Sequence, residues 1–435
     1  MAHQLNGQWI HEWDVRLGRR DGIARRDLLR WVALGTSAIG LRLGHVVSAH
    51  AQEMRKNGKH LILLWMQGGP SQFETFTPKP GHANGGETRA IPTRIPGVPI
   101  SENLPQVAGV LDRLCLLRSV TAREGTHSRA TYLLHTGYLP TATVKHPTLG
   151  ASVAHQLAPS DLDLPAFVRI GQSNRDLGGG GLLGVKFDPF VVSNPGQMPQ
   201  NATPSSGEQR LRRRLALLEE ADHEFAERVG GRLVEDRHAI YRAATDMILS
   251  PKMQVFELDR EPVSVRQAYG DSTFARGCLL ARRLVEAGVT CVEVTLGNWD
   301  THEDNFNRSR SLCGQLDQPM AALVRDLEQR GLLESTLVVW MGEFGRTPRI
   351  NPRGGRDHYP RAFSVVLGGC GVRPGQAIGQ TDAGGVEITG QPVTVPDLFR
   401  TIFTALGIDP DHENMSSIGR PIKLVDGGQL IQGVL

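Results

Sequence analysis

From Leu61 to Met66 the chain reads Leu-Ile-Leu-Leu-Trp-Met, an unbroken apolar run that stops at Gln67 and turns at Gly68-Gly69. A run this short, with no polar alternation, predicts a strand covered on both sides at the centre of a sheet. The second half of the chain repeats the theme. Helical periodicity in FARGCLLARRLVEAG is followed by an apolar run in VTCVEVTL, a helix in LDQPMAALVRDLEQRG, the runs STLVVWMG and AFSVVLGG, and a last helix in VPDLFRTIFTALG. Strands separated by helices of this length build βαβ units, so the pattern predicts an α/β fold: a large, mostly parallel sheet with mixed edges, flanked by helices. Ligands of such sheets gather beyond the carboxyl ends of the strands, which makes the residues after each apolar run the ones to inspect.

The first half is less regular. Residues 78–106, rich in proline and glycine, read as an ordered excursion, and LDRLCLLRSV as a connection leading into a second strand. HSRATYLLHTG has the length of a short helix stopped by Gly137. LPAFVRI and GVKFDPFVV, on either side of the four glycines 178–181, suggest strands around a turn. No Gly-Lys-Ser/Thr follows those glycines, so they are not a phosphate-binding loop. Residues 207–249 read as an antiparallel helical pair broken near Gly230-Gly231, an insertion or cap on a single domain spanning residues 52–435.

Composition, at 40% hydrophobic and 21% charged with 50 glycines and 26 prolines, describes a globular, loop-rich chain. The formal charge of +3 arises within residues 1–51, where seven arginines face four acids. The remainder is neutral and lacks the concentrated basic face of a nucleic-acid binder. The densest basic run, Arg212-Arg213-Arg214, accompanies Leu211, Leu215 and Leu218 at helical spacing and reads as a solvated helix face. Residues 1–51 look like a Tat export leader: twin Arg25-Arg26, a mildly apolar segment broken by Gly35, Gly40 and Arg42, and an A-x-A pattern at Ala49-His50-Ala51. That segment is too short and interrupted to span a bilayer. The expectation is a periplasmic or secreted protein that touches membrane only through an uncleaved leader. Five cysteines without a C-x-x-C pair argue against a zinc ribbon and read as buried thiols, although one disulfide, such as Cys278 with Cys291, could form in an oxidising compartment.

Three polar clusters fall at the predicted carboxyl edge of the sheet. Asn298, Asp300 and His302 follow VTCVEVTL; Glu343, Arg346 and Thr347 follow TLVVWM; Asp357 and His358 precede AFSVVLGG. Asp300 and His302 are two residues apart, so an extended backbone would point both at one ion, whereas a helix would separate them. Imidazole with carboxylate suits a divalent transition metal, zinc or manganese before calcium or magnesium. The plainer alternative is a loop held by ordinary hydrogen bonds, with Glu343 and Arg346 as an ion pair. Ser71 lacks the G-x-S-x-G frame of a serine hydrolase, while Glu74 is open to a role at the site or at a turn.

The stretches LWMQGGPSQFETFTPKP, THSRATYLLHTGY, GNWDTHEDNF, TLVVWMGEFGRTPRIN and GRDHYPRAFSVVLGGCGVRPGQAIGQTD resemble the DUF1501 family of exported bacterial proteins, across nearly the whole chain after the leader. That family is grouped with the alkaline phosphatase and sulfatase superfamily, which implies an alkaline phosphatase-like fold and hydrolysis of phosphate or sulfate esters. The resemblance implies Asp300, His302 and His358 as metal ligands, with Glu343 as ligand or base and Asp357 beside them. It places the nucleophile near Thr126, His127 and Ser128, where no cysteine is available to become formylglycine, and implies Arg346 as stabiliser of the anionic group. Gln67 in place of the usual acid, and Phe344 in place of a histidine, put a second metal in doubt. The implied partner is an anionic small molecule or a sulfated or phosphorylated glycan. The alternative is a non-catalytic exported binding protein that keeps the fold.

Overall fold

The computed structural model describes residues 58–435 apart from 172–177, 201, 203–206, 230 and 417–418. The leader, with its Tat signal and cleavage pattern, lies outside the described residues. A nine-stranded sheet organises the chain. Its strands are β1 (His60–Met66), β2 (Leu114–Thr121), β3 (Phe167–Ile170), β4 (Phe190–Val192), β5 (Cys291–Leu296), β6 (Thr336–Met341), β7 (Phe363–Gly368), β8 (Gln376–Ile378) and β9 (Val393–Thr394). The order is β8-β2-β7-β6-β1-β5-β3-β4, with β9 beside β2. As its sequence predicts, β1 is central, paired in parallel with β5 and β6 and buried at every position.

β7 runs antiparallel to both neighbours, β2 and β6. All other pairings in the sheet are parallel. The reversal matters for the site. Residues that precede β7 emerge at the same edge as residues that follow β1, β2, β5 and β6, which brings His358 to the carboxyl edge although it lies before its strand.

Among the described residues, the α-helices longer than four residues are α1 (His127–Thr136), α2 (Leu149–Leu157), α3 (Glu208–Val229), α4 (Gly231–Leu249), α5 (Val263–Tyr269), α6 (Thr273–Glu286), α7 (Asn305–Gln329) and α8 (Val395–Ala405). Alternate side chains of β1 enter two cores. Ile62, Leu64 and Met66 pack with residues of α6 and α7, while Leu61, Leu63 and Trp65 pack with residues of α1, α2 and α8. α1 ends at Gly137 in the left-handed conformation, φ 77°, with its N–H returned to the Leu133 carbonyl. α3 and α4 fold back on each other, His238 Nε2 lying 3.0 Å from Asp222 Oδ2. The five cysteines are buried free thiols, Cys278 and Cys291 among them. Among the described residues no helix is long and apolar enough to cross a membrane.

Candidate metal centre

The loop after β5 is neither helical nor paired through Asp300, and its backbone aims both predicted side chains at one point. Asp300 Oδ1 lies 3.0 Å from His302 Nε2. The end of β1 sets this loop's depth: Trp299 N–H donates to the Gln67 carbonyl at 3.1 Å. A Cβ on Gly68 would stand 2.5 Å from the Asp300 nitrogen. Gly68 is therefore required for the close approach of one chain segment to another.

His358 arrives from the opposite side. It pairs with Arg346 in a two-residue antiparallel ladder, Gly345–Arg346 against His358–Tyr359. Its Nε2 stands 3.0 Å from His302 Nε2 and 3.4 Å from Asp300 Oδ1. His127 opens α1 just beyond the end of β2, and its Nε2 lies 3.4 Å from Asp300 Oδ2. Donor atoms of His127, Asp300 and His358 all fall within 4.8 Å of one another.

The far nitrogen of each imidazole has a partner that can only accept. His127 Nδ1 donates to Glu343 Oε1 at 2.8 Å, His302 Nδ1 to Asp357 Oδ1 at 2.9 Å, and His358 Nδ1 to the Gly125 carbonyl at 2.7 Å. Each neutral ring thus carries its hydrogen on Nδ1 and turns an Nε2 lone pair toward Asp300. Lone pairs that face each other at these distances need a proton or a cation between them. A ring tethered at one nitrogen and free at the other is the usual state of a metal-binding histidine.

Glu343 adds to the negative surplus. Only 1% exposed, it accepts from Gly68 N–H at 2.8 Å and from His127 on the same oxygen, Oε1. Among the described residues its buried Oε2 has no hydrogen-bond partner. Burial would raise the Asp300 pKa, but the bond and charge of Arg346, with His127 and His302, hold it down to about 2. The bond to Glu343 raises the His127 pKa against the effect of burial. Burial lowers that of His358, only partly offset by the Gly125 carbonyl. The hydrogen bond from His302 lowers that of Asp357. These donors, one carboxylate oxygen and three imidazole nitrogens, suit zinc or manganese.

Several expectations change. Glu343 and Arg346 do not pair: the guanidinium of Arg346 binds Asp300 Oδ1 at 2.7 Å and the carbonyls of Gly68, Gly69, Trp299 and Arg356. Wholly buried, it holds Asp300 and the glycine turn instead of facing outward to a substrate anion. Asp357 and Glu343 hold histidines; His127, Asp300 and His358 converge as one group, and His302 joins it through Asp300 Oδ1 and His358 Nε2. Thr126 and Ser128 flank His127 and are exposed. Glu74 points away, fully buried in an ion pair with Arg356 at 2.9 Å, and Ser71 is buried. Phe344 walls the cluster, its ring centroid 5.0 Å from that of His127 and 4.5 Å from that of His358. The resemblance sets His127, with Thr126 and Ser128, near a nucleophile; the structure brings its Nε2 into the group with Asp300 and His358. Its place at a helix start, directly after a strand that ends at this edge, was the signal available.

A family model described as "Protein of unknown function (DUF1501)" matches residues 58–435. No curated protein matches the chain. Among solved structures, a sulfatase from Pseudoalteromonas sp. is 13% identical, with 84% of this chain and 71% of that one covered at a TM-score of 0.39. A protein in the alkaline phosphatase superfamily from Vibrio parahaemolyticus is 12% identical, covering 81% and 67% at 0.39. The lipoteichoic acid synthase LtaP from Listeria monocytogenes is 10% identical, covering 81% and 73% at 0.37. At such scores these remain likenesses, and the functional reading rests on the site's own atoms.

Proposed function

The chain belongs to the DUF1501 family, and from that premise and the site's geometry we propose that it is an exported, metal-dependent hydrolase of phosphate or sulfate esters. The observation that carries this reading is the convergence of three Nδ1-tethered imidazoles on Asp300. His127, Asp300, His302 and His358 would hold one divalent cation, zinc or manganese. When bound, such an ion polarises an ester oxygen and lowers the pKa of a bound water. The division into a leader of residues 1–51 and one domain of residues 52–435, with residues 207–249 as insertion or cap, belongs to the same proposal.

The protein's own groups supply positioning and electrostatics. Glu343, Asp357 and the Gly125 carbonyl fix the ring orientations, and Arg346 fixes Asp300. Stabilisation of the substrate's anionic oxygens falls to the start of α1, a ten-residue helix whose first turn has no side-chain cap from Thr126. Its free N–H groups carry the positive end of the helix dipole. Thr126 and Ser128 stand beside this helix start as candidate nucleophiles, with water the other. A small or glycan-borne phosphate or sulfate ester fits an edge that combines cation donors with free amides.

The test is metal content of the purified protein, its thermal unfolding with added zinc or manganese, and turnover of a panel of phosphate and sulfate esters. The expected result is about one ion per chain, and stabilisation of about 2.7 kcal/mol when free metal is one hundred times its Kd. Both should be lost in His302→Ala and His358→Ala. A folded wild type that takes up no metal and turns over no ester would leave a non-catalytic binding protein as the better reading.

A further inference from the structure

The helical pair distal to the proposed centre carries a feature that the hydrolase reading does not use. Apart from Glu208 and Arg228 near its two ends, α3 is segregated by charge along its length. Its first third contains Arg210, Arg212, Arg213 and Arg214, whereas Glu219, Glu220, Asp222, Glu224 and Glu227 follow in sequence. Leu217 lies between these halves and is 65% exposed, the most exposed large hydrophobic side chain among the described residues.

At about 100° per residue, Arg210, Arg213, Arg214, Leu217 and Glu220 share one side of the helix, away from the row formed by Leu211, Leu215 and Leu218. All five are exposed. Arg212 projects elsewhere and pairs with Glu208 at 2.8 Å. Among the described residues, Arg210, Arg213, Arg214 and Glu220 have no ion-pair partner. The face therefore reads basic, apolar, acidic in order, and two such faces are complementary only when they run antiparallel.

We propose that this face of α3 is a dimerisation surface whose occupant is α3 of a second copy of the chain, related by a two-fold axis through Leu217. A two-fold interface presents one patch to itself, so each residue beyond the axis meets its counterpart on the other side. With Leu217 on the axis, Arg213 of one copy comes opposite position 221 of the other, one residue from Glu220 and on the same side of the seam. Symmetry makes that pair twice. The two leucines cover each other at the centre, where each alone is left to water. A parallel arrangement would oppose arginine to arginine, so the charge order also selects direction.

The experiment is sedimentation velocity on the full chain over a range of concentrations, at low and high salt. The expected result is a reversible dimer weakened by salt, because the ion pairs lie at the solvent edge of a single helix contact. Arg213→Glu and Glu220→Arg should each weaken dimerisation by about tenfold or more through like-charge contacts made twice. The double variant R213E/E220R restores opposite charges and should restore the dimer, with helical content unchanged by circular dichroism in all three. Wild type that stays monomeric throughout, a dimer indifferent to the single reversals, or a monomer that instead binds vesicles of anionic lipid would each overturn the proposal.

Discussion

Glu293 and Glu343 are equally buried, 1% exposed each, one within β5 and the other two residues beyond the end of β6, the strands that flank β1, yet their surroundings differ in kind. Both oxygens of Glu293 are bound by Arg169, Nε to Oε1 at 2.9 Å and Nη2 to Oε2 at 3.2 Å, with His135 Nε2 at 3.5 Å. Charge inside that network is matched by charge, and nothing further is needed. Glu343 has one oxygen bonded twice and the other, among the described residues, bonded to nothing, beside the imidazoles of His127 and His358 and a second carboxylate. A carboxylate in the middle of a strand must find its cation within the chain. One at the carboxyl edge can leave that place for something that arrives from outside, and surplus lone pairs are the structural mark of the difference.

The largest expected effect comes from breaking the closed network. Arg169→Met leaves Glu293 charged and unpaired in the core, which should cost about 3–5 kcal/mol in urea unfolding, while metal uptake of the surviving folded protein is unchanged. The same pair sets an acid limit. Burial would raise the Glu293 pKa, but the charge of Arg169, with His135, holds it at about 2. A folded pKa below the unfolded value of about 4.3 stabilises the protein above that pH and loses the contribution as pH falls toward 2. The acid-unfolding midpoint should therefore move to higher pH in Arg169→Met. An unmoved midpoint would mean that Glu293 is held by something other than Arg169.

Much of this contrast was legible in the sequence, for identifiable reasons. β1 and β6 announce themselves because strands buried on both faces need near-continuous apolar runs, β5 does so despite Glu293 within its run, and α1 because Gly137 ends it. Asp300 and His302 could be paired because a spacing of two in extended chain fixes a common direction. The reversal of β7 could not be read, since an apolar run carries no direction; the place expected for His358 at the carboxyl edge holds only because its strand runs antiparallel to both neighbours. The fate of Arg346 was equally hidden. Its side chain is claimed by the carbonyls of Gly68 and Gly69, which come from a strand nearly three hundred positions away in the chain, and such a claim is visible only in three dimensions.

A smaller effect should follow from neutralising the open carboxylate. In Glu343→Gln the amide oxygen can still accept from Gly68 N–H and from His127 Nδ1–H, so folding and ring orientation survive while the charge behind the imidazole is lost. Outer carboxylates of this kind typically contribute 10–100-fold in metal affinity. Calorimetric titration with zinc should show a loss in that range with unfolding little changed. A loss of stability with unchanged affinity would place Glu343 with Glu293, as a structural acid.

Asp357→Asn should have the smallest effect, and it decides whether burial is what gives the outer carboxylates their strength. Asp357 holds His302 as Glu343 holds His127, through a carboxylate oxygen on Nδ1 at nearly the same distance, 2.9 Å against 2.8 Å. The carboxylate of Asp357 is 56% exposed, that of Glu343 1%. Water screens the first and not the second, so the same loss of one charge is felt less at the metal. Asparagine keeps the acceptor, and the loss in zinc affinity should stay below about tenfold. An Asp357→Asn loss equal to that of Glu343→Gln would show that hydrogen-bond tethering, common to both residues, governs the centre, and that the depth of the carboxylate does not.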